Sequence, residues 1–256
     1  MRRVLIGYTG FVGGNLVHQA DFDGRFNSRN SAELEGRHCD ELVIAAAPAA
    51  KWIANREPEQ DLATIRHLCD RLASVHADRV CLISTVDVYP DPAGVDENTL
   101  VDQDACHLYG RHRLLLEDFV RSRFDTRVIR LPGLFGCGLK KNIIFDYLNG
   151  NDTDKVDTRN VFQFYSLEHL WDDIQRMDES GIDLLNLATE PIVTADIARV
   201  CTGRDIVNEV LDVPVNYDMR SIHAEAFSGR DGYLYNRAAV LDDLKSFVCA
   251  YGETGK

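Results

Sequence analysis

The feature that most constrains this chain is the order in which two hydrophobic periodicities alternate along it. Short apolar runs recur at Arg3 to Tyr8, at 41–47 (ELVIAAA), at 79–85 (RVCLIST) and at 127–132 (RVIRLP, stopped by Pro132 and Gly133). The clearest of them, at 41–47, is continuously apolar, the pattern of a strand buried on both faces of a parallel sheet. Between the runs lie segments with apolar residues at helical spacing. One begins at Phe11. A second runs from Glu57 to Val75 through Leu62, Ile65, Leu68, Cys69, Leu72 and Val75, and a third from Ala105 to Arg121. Strand–helix–strand succession at this spacing implies right-handed crossovers, so the expected fold class is α/β, a doubly wound parallel sheet. A short polar strand is expected near Phe26 to Arg29. Past residue 136 the pattern loosens. A short strand and a helix fall in 162–177, a strand in 183–188, a helix capped by Thr194 in 194–201, and a closing helix in 234–248.

Bulk properties narrow the partners. The chain has 256 residues and a net charge of −13, which opposes binding to nucleic acid or to an anionic membrane surface. No run approaches the roughly 18 apolar residues that a membrane span needs. The apolar start, Val4 to Ile6, is too short for a signal peptide. Seven cysteines are scattered without metal-ligand spacing, which suits buried thiols in a reducing compartment; the expected location is cytoplasmic.

Gly7, Gly10 and Gly13 follow the first strand and open the first helix with Phe11 and Val12. Glycines there let the turn close and let backbone N–H groups approach a pyrophosphate, which a helix N-terminus favours. A dinucleotide is therefore the expected cofactor. No acidic residue stands at the end of the second strand to hold ribose hydroxyls. Ser28 and Arg29 stand there instead, able to donate to a 2′-phosphate, which favours NADP over NAD.

The run 79–85 ends with Ser84 and Thr85 at the carboxyl edge of its strand, where open α/β sheets place their ligands. Tyr109 follows, with Arg113 one helical turn on and on the same face. A hydroxyl, a phenol and a cation beside a dinucleotide are the parts of hydride-coupled proton transfer. The cation is expected to lower the phenol pKa from about 10.

With Gly7-x-x-Gly10-x-x-Gly13, LISTVDVY (82–89), LYGRHRLLLEDFV (108–120), RLPGLFG (130–136) and LLNLATEPIVTADIA (184–198), the chain resembles the extended short-chain dehydrogenase/reductase family. These are NAD(P)-dependent nucleotide-sugar epimerases, dehydratases and reductases. The resemblance covers most of the chain. It implies a Rossmann-type sheet with a small, interleaved C-terminal substrate lobe: 1–135 for the dinucleotide, with 160–190 returning to it, and 136–256 mostly for substrate. It further implies Thr85 as the substrate-orienting hydroxyl, Tyr109 as general acid/base, and Arg113 in the position of the family's lysine. Ala46, Ala47 and Pro132 would border the cofactor. The family has Tyr-x-x-x-Lys where this chain has Tyr-x-x-x-Arg, and a planar guanidinium cannot reproduce an ammonium on the nicotinamide ribose. The resemblance also implies a nucleotide-sugar substrate and a homodimer built from the helices at 57–75 and 105–121, each with more apolar positions than one sheet face needs.

On the substrate side, Ser84 borders the same edge, and Lys140, Lys141 and Asn142 open a helical segment that could grip a phosphate. His112, one residue from Arg113, points to another face and reads as a surface side chain. Trp52 reads as core, and Asp87, Asp91, Asp96 and Glu97 as a solvated loop. Two functions are expected in competition. One is an NAD(P)-dependent oxidoreductase, epimerase or dehydratase acting on a nucleotide-linked or phosphorylated sugar. The other is a dinucleotide-binding regulatory or partner subunit with little or no catalysis.

Overall fold

The apolar runs of the N-terminal half become neighbouring strands of one parallel sheet. The computed structural model describes residues 1–254. In chain order the elements are β1 (Arg3–Ile6), α1 (Phe11–Gln19), β2 (Gly24–Phe26), β3 (His38–Ile44), α2 (Lys51–Arg56), α3 (Pro58–Leu72), β4 (His76–Thr85), β5 (Ala93–Val95), α4 (Leu108–Arg123) and β6 (Thr126–Leu131). They continue with β7 (Gly133–Phe135), α5 (Ile143–Asn149), β8 (Val161–Phe162), β9 (Phe164–Ser166), α6 (Leu170–Glu179), β10 (Leu184–Asn186), β11 (Ile192–Val193), α7 (Thr194–Thr202), β12 (Asp218–Met219) and α8 (Arg237–Thr254). Among the described residues, no helix is long and apolar enough to cross a membrane.

The chain divides into two compact units. The first comprises 1–91, 99–131 and 170–186; the second comprises 92–98, 132–169 and the chain from 187 onward. The segment that returns to the first unit is 170–186, shorter than the 160–190 that the family resemblance implies. The first unit holds a six-stranded sheet in the order β2-β1-β3-β4-β6-β10, with every neighbouring pair parallel. The direction of winding reverses between β1 and β3, so their carboxyl ends form the crevice where such sheets take ligands.

Both sheet faces are covered, which explains why the strands read as continuous apolar runs. Val4, Ile6, Leu42, Ile44, Val80, Leu82 and Val128 point to one face and pack with Ile65, Cys69 and Leu72 of α3 and Leu116 and Val120 of α4. Leu5, Val43, Cys81 and Ile129 alternate with them and are equally buried. Each fully buried aliphatic side chain contributes about 1.5–3 kcal/mol. The exposed positions of α3 are chiefly polar: Glu59, Gln60, Thr64, Arg66, His67 and Asp70. Leu62 and Leu68 on the same helix are half-buried, and Ala63 is exposed.

Local chemistry moves several boundaries. β2 stops at Phe26, because Asn27 and Asn30 close a turn: Asn27 N–H donates to Asn30 Oδ1 at 2.8 Å, and Arg29 N–H donates to Asn27 Oδ1 at 2.8 Å. Ser28 and Arg29 therefore sit exposed in a turn, beyond the strand expected over 26–29. α4 starts at Leu108, because His107 caps it by accepting the Gly110 N–H on Nδ1 at 3.0 Å. Thr194 is the first helical residue of α7 rather than its cap; its hydroxyl is buried without a hydrogen-bond partner.

In the second unit β7 pairs with β9 and β5 with β12, both parallel, while β8 and β11 are antiparallel. Buried Gln163 ties this unit together, donating to the carbonyls of Thr189 and Met219 and accepting the Met219 N–H.

Candidate active site

The glycine turn sits at the reversal of winding. Gly7 has φ +93°, and a Cβ there would lie 2.2 Å from the Ala45 carbonyl oxygen. A Cβ on Gly13 would lie 2.2 Å from the Gly7 carbonyl oxygen. Only glycine lets β1, the Ala45–Ala46 turn and the start of α1 approach so closely. Gly10 is the N-cap, which leaves the N–H groups of Phe11, Val12 and Gly13 in the first helical turn without carbonyl partners inside the helix. That cradle fits the pyrophosphate of a dinucleotide. Ala46 and Ala47 follow β3, half-buried, and pack against the first unit's core.

β4 delivers Ser84 and Thr85 to the same edge, but the two hydroxyls point to different work. Ser84 is buried and donates to Glu117 at 2.5 Å. Glu117 in turn receives both arms of the Arg130 guanidinium, at 2.6 and 3.1 Å, and Arg130 donates to the Tyr89 hydroxyl at 2.8 Å. The Asn186 amide reaches Tyr89 as well, at 3.1 Å. This buried chain of polar groups holds the end of β4 in place. Half-buried Thr85 is among the groups that favour the Tyr109 phenolate. Its oxygen also accepts the Asp87 N–H at 3.2 Å.

Tyr109 is 7% exposed. The cation next to it does not lower its pKa below the ordinary value. Burial pushes the phenol up, Arg113 and Thr85 pull it down, Asp87 pushes it up, and the result is above the usual 10. The expected lowering is thus overturned in the free protein, because desolvation of the phenolate outweighs one neighbouring guanidinium.

Arg113 is the strongest charge favouring the phenolate, and its own surroundings hold it in place. It is 2% exposed, and both arms of the fork bond Asp61 on α3, with Nη2 to Oδ1 at 2.8 Å. The same nitrogen donates to the Pro48 carbonyl, and the guanidinium carbon lies 3.9 Å from the centroid of the Tyr109 ring. The charge stacks over the ring and is balanced by a carboxylate. His112 is not at the surface: it is buried, with Nδ1 2.7 Å from the other carboxylate oxygen of Asp61. Burial alone would raise the Asp61 carboxyl; hydrogen bonds and charge from Arg113 and His112 hold it below the ordinary carboxylate value.

α2 faces the start of α4. Asn55 Oδ1 accepts the Tyr109 N–H at 3.0 Å, and Lys51 Nζ lies 2.7 Å from Asp87 Oδ1. Asp87 is therefore an ion-paired carboxylate rather than part of a solvated loop. A Cβ on Gly110 would fall 2.0 Å from the Asp87 carbonyl oxygen, so the turn after β4 lies directly against the first turn of α4. Trp52 is no core residue: it is 61% exposed, with the Arg56 guanidinium 4.9 Å from its ring centroid.

Pro132, Lys140, Lys141 and Asn142 belong to the second unit. Pro132 precedes β7, and the two lysines are exposed ahead of α5. The Asn142 side chain caps α5, accepting the N–H groups of Ile144 and Phe145 at 3.1 Å each and donating to the Leu134 carbonyl at 2.8 Å. Glu97, expected in a solvated loop, also has a structural task there, accepting from Ser221 Oγ at 2.6 Å and the Ile222 N–H at 2.8 Å.

Asp61, Asn55, Glu117 and Arg130 are the polar residues that sequence reasoning missed. A signal for two of them was present. Asp61 is spaced with Ile65, Cys69 and Leu72 on the buried stripe of α3, and Glu117 with Arg113, Leu116 and Val120 on that of α4. A carboxylate on a core stripe requires a partner, and each has one.

The chain matches no family model and no curated protein. It is similar in structure to a dTDP-4-dehydrorhamnose reductase ortholog from Clostridium acetobutylicum, with 17% identity, 98% of this chain and 100% of that one covered, and a TM-score of 0.76. A dTDP-glucose 4,6-dehydratase from Streptomyces venezuelae, with NAD and TYD bound, aligns over 99% of this chain and 98% of its own at 15% identity and a TM-score of 0.75. A UDP-galactose 4-epimerase aligns over 99% of both chains at 13% identity and a TM-score of 0.74. What these likenesses establish is the fold: an α/β chain built on a parallel, doubly wound sheet of the Rossmann type, shared over almost its whole length.

Proposed function

We propose that this chain is an NAD(P)-dependent enzyme of a nucleotide-linked or otherwise phosphorylated sugar, working by hydride transfer coupled to proton transfer at Tyr109. The observation that carries the reading is the placement, in one unit with the glycine cradle, of Thr85 at the carboxyl end of β4 and of Tyr109 at the start of α4 with the Arg113 guanidinium stacked on its ring. The structural neighbours named as a nucleotide-sugar reductase, dehydratase and epimerase support it.

A nicotinamide dinucleotide, when bound, supplies or accepts the hydride. Gly7, Gly10 and Gly13 with the N–H groups of Phe11 and Val12 would hold its pyrophosphate, and Ala46 and Ala47 would border it. Ser28 and Arg29, exposed past β2, would pair a 2′-phosphate, which is the basis for expecting NADP(H). Thr85 orients the reacting oxygen of the sugar, and Tyr109 gives it a proton or takes one. The raised phenol pKa keeps Tyr109 protonated at neutral pH, which suits donation to a carbonyl oxygen as it is reduced. Lys140 and Lys141 are the candidate grip on substrate phosphate, with Asn142 shaping their loop; Ser84 serves by fixing the strand that carries Thr85.

A second reading, a dinucleotide-binding partner or regulatory subunit, is favoured by one observation: both terminal nitrogens of Arg113 are taken up by Asp61 and the carbonyls of Pro48 and Tyr109. Titration with NADPH and NADH, followed by nicotinamide fluorescence, tests both readings. The enzymatic reading expects binding of NADPH ahead of NADH, loss of that preference in Arg29→Ala, and oxidation of bound cofactor by a keto-sugar nucleotide that fails in Tyr109→Phe. Binding without turnover across such substrates selects the second reading, and no binding of either dinucleotide refutes both.

A further inference from the structure

We propose that Asp61 and Arg113 form a clamp that holds the turn after β3 against the glycine cradle, which makes Arg113 a positioning residue for the dinucleotide rather than a ligand of it. This rests on the glycine turn being the dinucleotide site proposed above.

The donors of the guanidinium separate the two roles. An arginine carries five N–H groups in a fixed fork. In Arg113 the four on the terminal nitrogens are taken. Nη1 donates to Asp61 Oδ2 and, at 3.3 Å, to the Tyr109 carbonyl; Nη2 donates to Asp61 Oδ1 at 2.8 Å and to the Pro48 carbonyl. The fifth, on Nε, is buried without a hydrogen-bond partner among the described residues. The two side chains are 2% and 5% exposed, so water does not compete for these bonds. A ribose hydroxyl could reach this cation only by displacing Asp61 or a backbone carbonyl from it. Displacing Asp61 would leave a buried carboxylate to the His112 ring, which is strongly unfavourable.

What the fork reaches leads back to the cradle. Pro48 lies three residues past Ala45, and the Ala45–Ala46 turn packs directly on Gly7. A Cβ on Gly7 would fall 2.2 Å from the Ala45 carbonyl oxygen and 2.9 Å from the Ala46 Cα. The Ala45 N–H donates to the Ile6 carbonyl at 2.8 Å, so this turn starts beside the end of β1. From Ala45 to Ala50 the chain has no helix or strand of its own. Two bonds from α4 fasten it and the helix that follows. The Arg113 fork takes the Pro48 carbonyl, and the Tyr109 N–H donates to Asn55 Oδ1 at 3.0 Å. Asp61 fixes the fork from α3 in turn, so three elements meet at one guanidinium. A lysine at 113 would offer its donors from a single atom, without the fork that spans the carboxylate and the two carbonyls.

The test pairs amide hydrogen exchange of the free protein, read over 45–50, with NADPH affinity from nicotinamide fluorescence. Arg113→Lys keeps the charge and loses the fork; Asp61→Asn keeps the shape and loses the charge that anchors it. Val128→Ala, a core truncation in β6 away from the fork, controls for lost stability alone. In both clamp variants exchange over 45–50 should quicken about tenfold beyond the control, the scale of one hydrogen bond from a charged donor. NADPH should bind about tenfold more weakly in both, and as in the parent in Val128→Ala. Equal losses in Val128→Ala overturn the proposal, since they would mark stability rather than position. NADPH bound by Arg113→Lys as tightly as by the parent, or more tightly, overturns it as well. No binding by the parent refutes the proposed function, while exchange over 45–50 still decides whether the clamp exists. Binding by the parent with unchanged exchange and affinity in both variants refutes the clamp alone.

Discussion

Replacing Asp61 with alanine should be among the most damaging single changes to this fold outside its aliphatic core. Asp61 is the acid between two bases: it takes both arms of Arg113 and approaches His112 Nδ1 at 2.7 Å, with all three side chains nearly sealed from solvent. Without it the Arg113 guanidinium keeps only the carbonyls of Pro48 and Tyr109, and a buried charge loses its counter-ion. Breaking such a pair from one side costs about 3–5 kcal/mol. In a chain of this size that converts to a drop in melting temperature of roughly 6–20 °C. Asp61→Asn keeps the shape and part of the bonding and should cost about half as much, roughly 1.5–2.5 kcal/mol. The informative variant is the paired one. Asp61→Leu with Arg113→Met removes both charges and fills the volume, and it should recover all but about 1 kcal/mol. Calorimetric melting of the three variants at pH 7 decides the matter. A melting temperature for Asp61→Ala within about 2 °C of the parent would mean that Arg113 finds water or another acid, and the account of a locked guanidinium would fail.

Other consequences are open to simpler checks. Gly13→Ala forces a methyl group to within 2.2 Å of the Gly7 carbonyl, so it should lower the melting temperature and abolish NADPH binding at concentrations that saturate the parent; intact binding would show that the turn yields. Asp61 and Asp157 both titrate below the ordinary carboxylate value, Asp157 through Arg159 and backbone N–H groups of Arg159, Val210 and Leu211. Depressed folded-state values give stability that is full above about pH 4 and is lost as pH falls through the folded values, so melting temperature should be flat from pH 7 to about 5 and drop below 4. That acid drop should be shallower in Asp61→Asn, and an identical acid profile would remove Asp61 from the explanation. Of the seven thiols, exposed Cys137 and Cys249 should react rapidly with a disulfide reagent. Cys39, Cys69, Cys81 and Cys106, which burial pushes up in pKa, should react only on unfolding.

What could be read from the sequence was what one element encodes by itself. The run at 41–47 declares a buried strand because water touches neither face of β3, and the glycines at 7, 10 and 13 declare a tight turn because nothing else fits there. Strand ends were less legible. β3 begins at polar His38, whose ring stacks on His76 at the start of β4 with centroids 4.5 Å apart, and a cross-strand pair has no signature in either strand alone. The site divided in the same way. Thr85, Tyr109 and Arg113 were found from their spacing, yet the meaning of Arg113 lay in Asp61, on another helix. The expected acidification of Tyr109 was reversed for a related reason: the identity of a neighbouring cation is written in the chain, but the depth of burial that outweighs it arises only when α2, α3 and α4 close around the phenol.

The interleaving of the two units bears on how the chain acquires its structure during synthesis. The first unit's sheet ends at β10, and the strand β10 pairs with, β6, leaves the ribosome more than fifty residues before it. The whole of 132–169, which belongs to the other unit, emerges in between. A nascent chain stopped anywhere in that interval carries a parallel sheet with β6 as a bare edge, and β6 is buried at five of its six positions in the finished protein. Chains stalled between 132 and 186 should therefore recruit chaperones that recognise unpaired strands, and they should be released once 170–186 has docked.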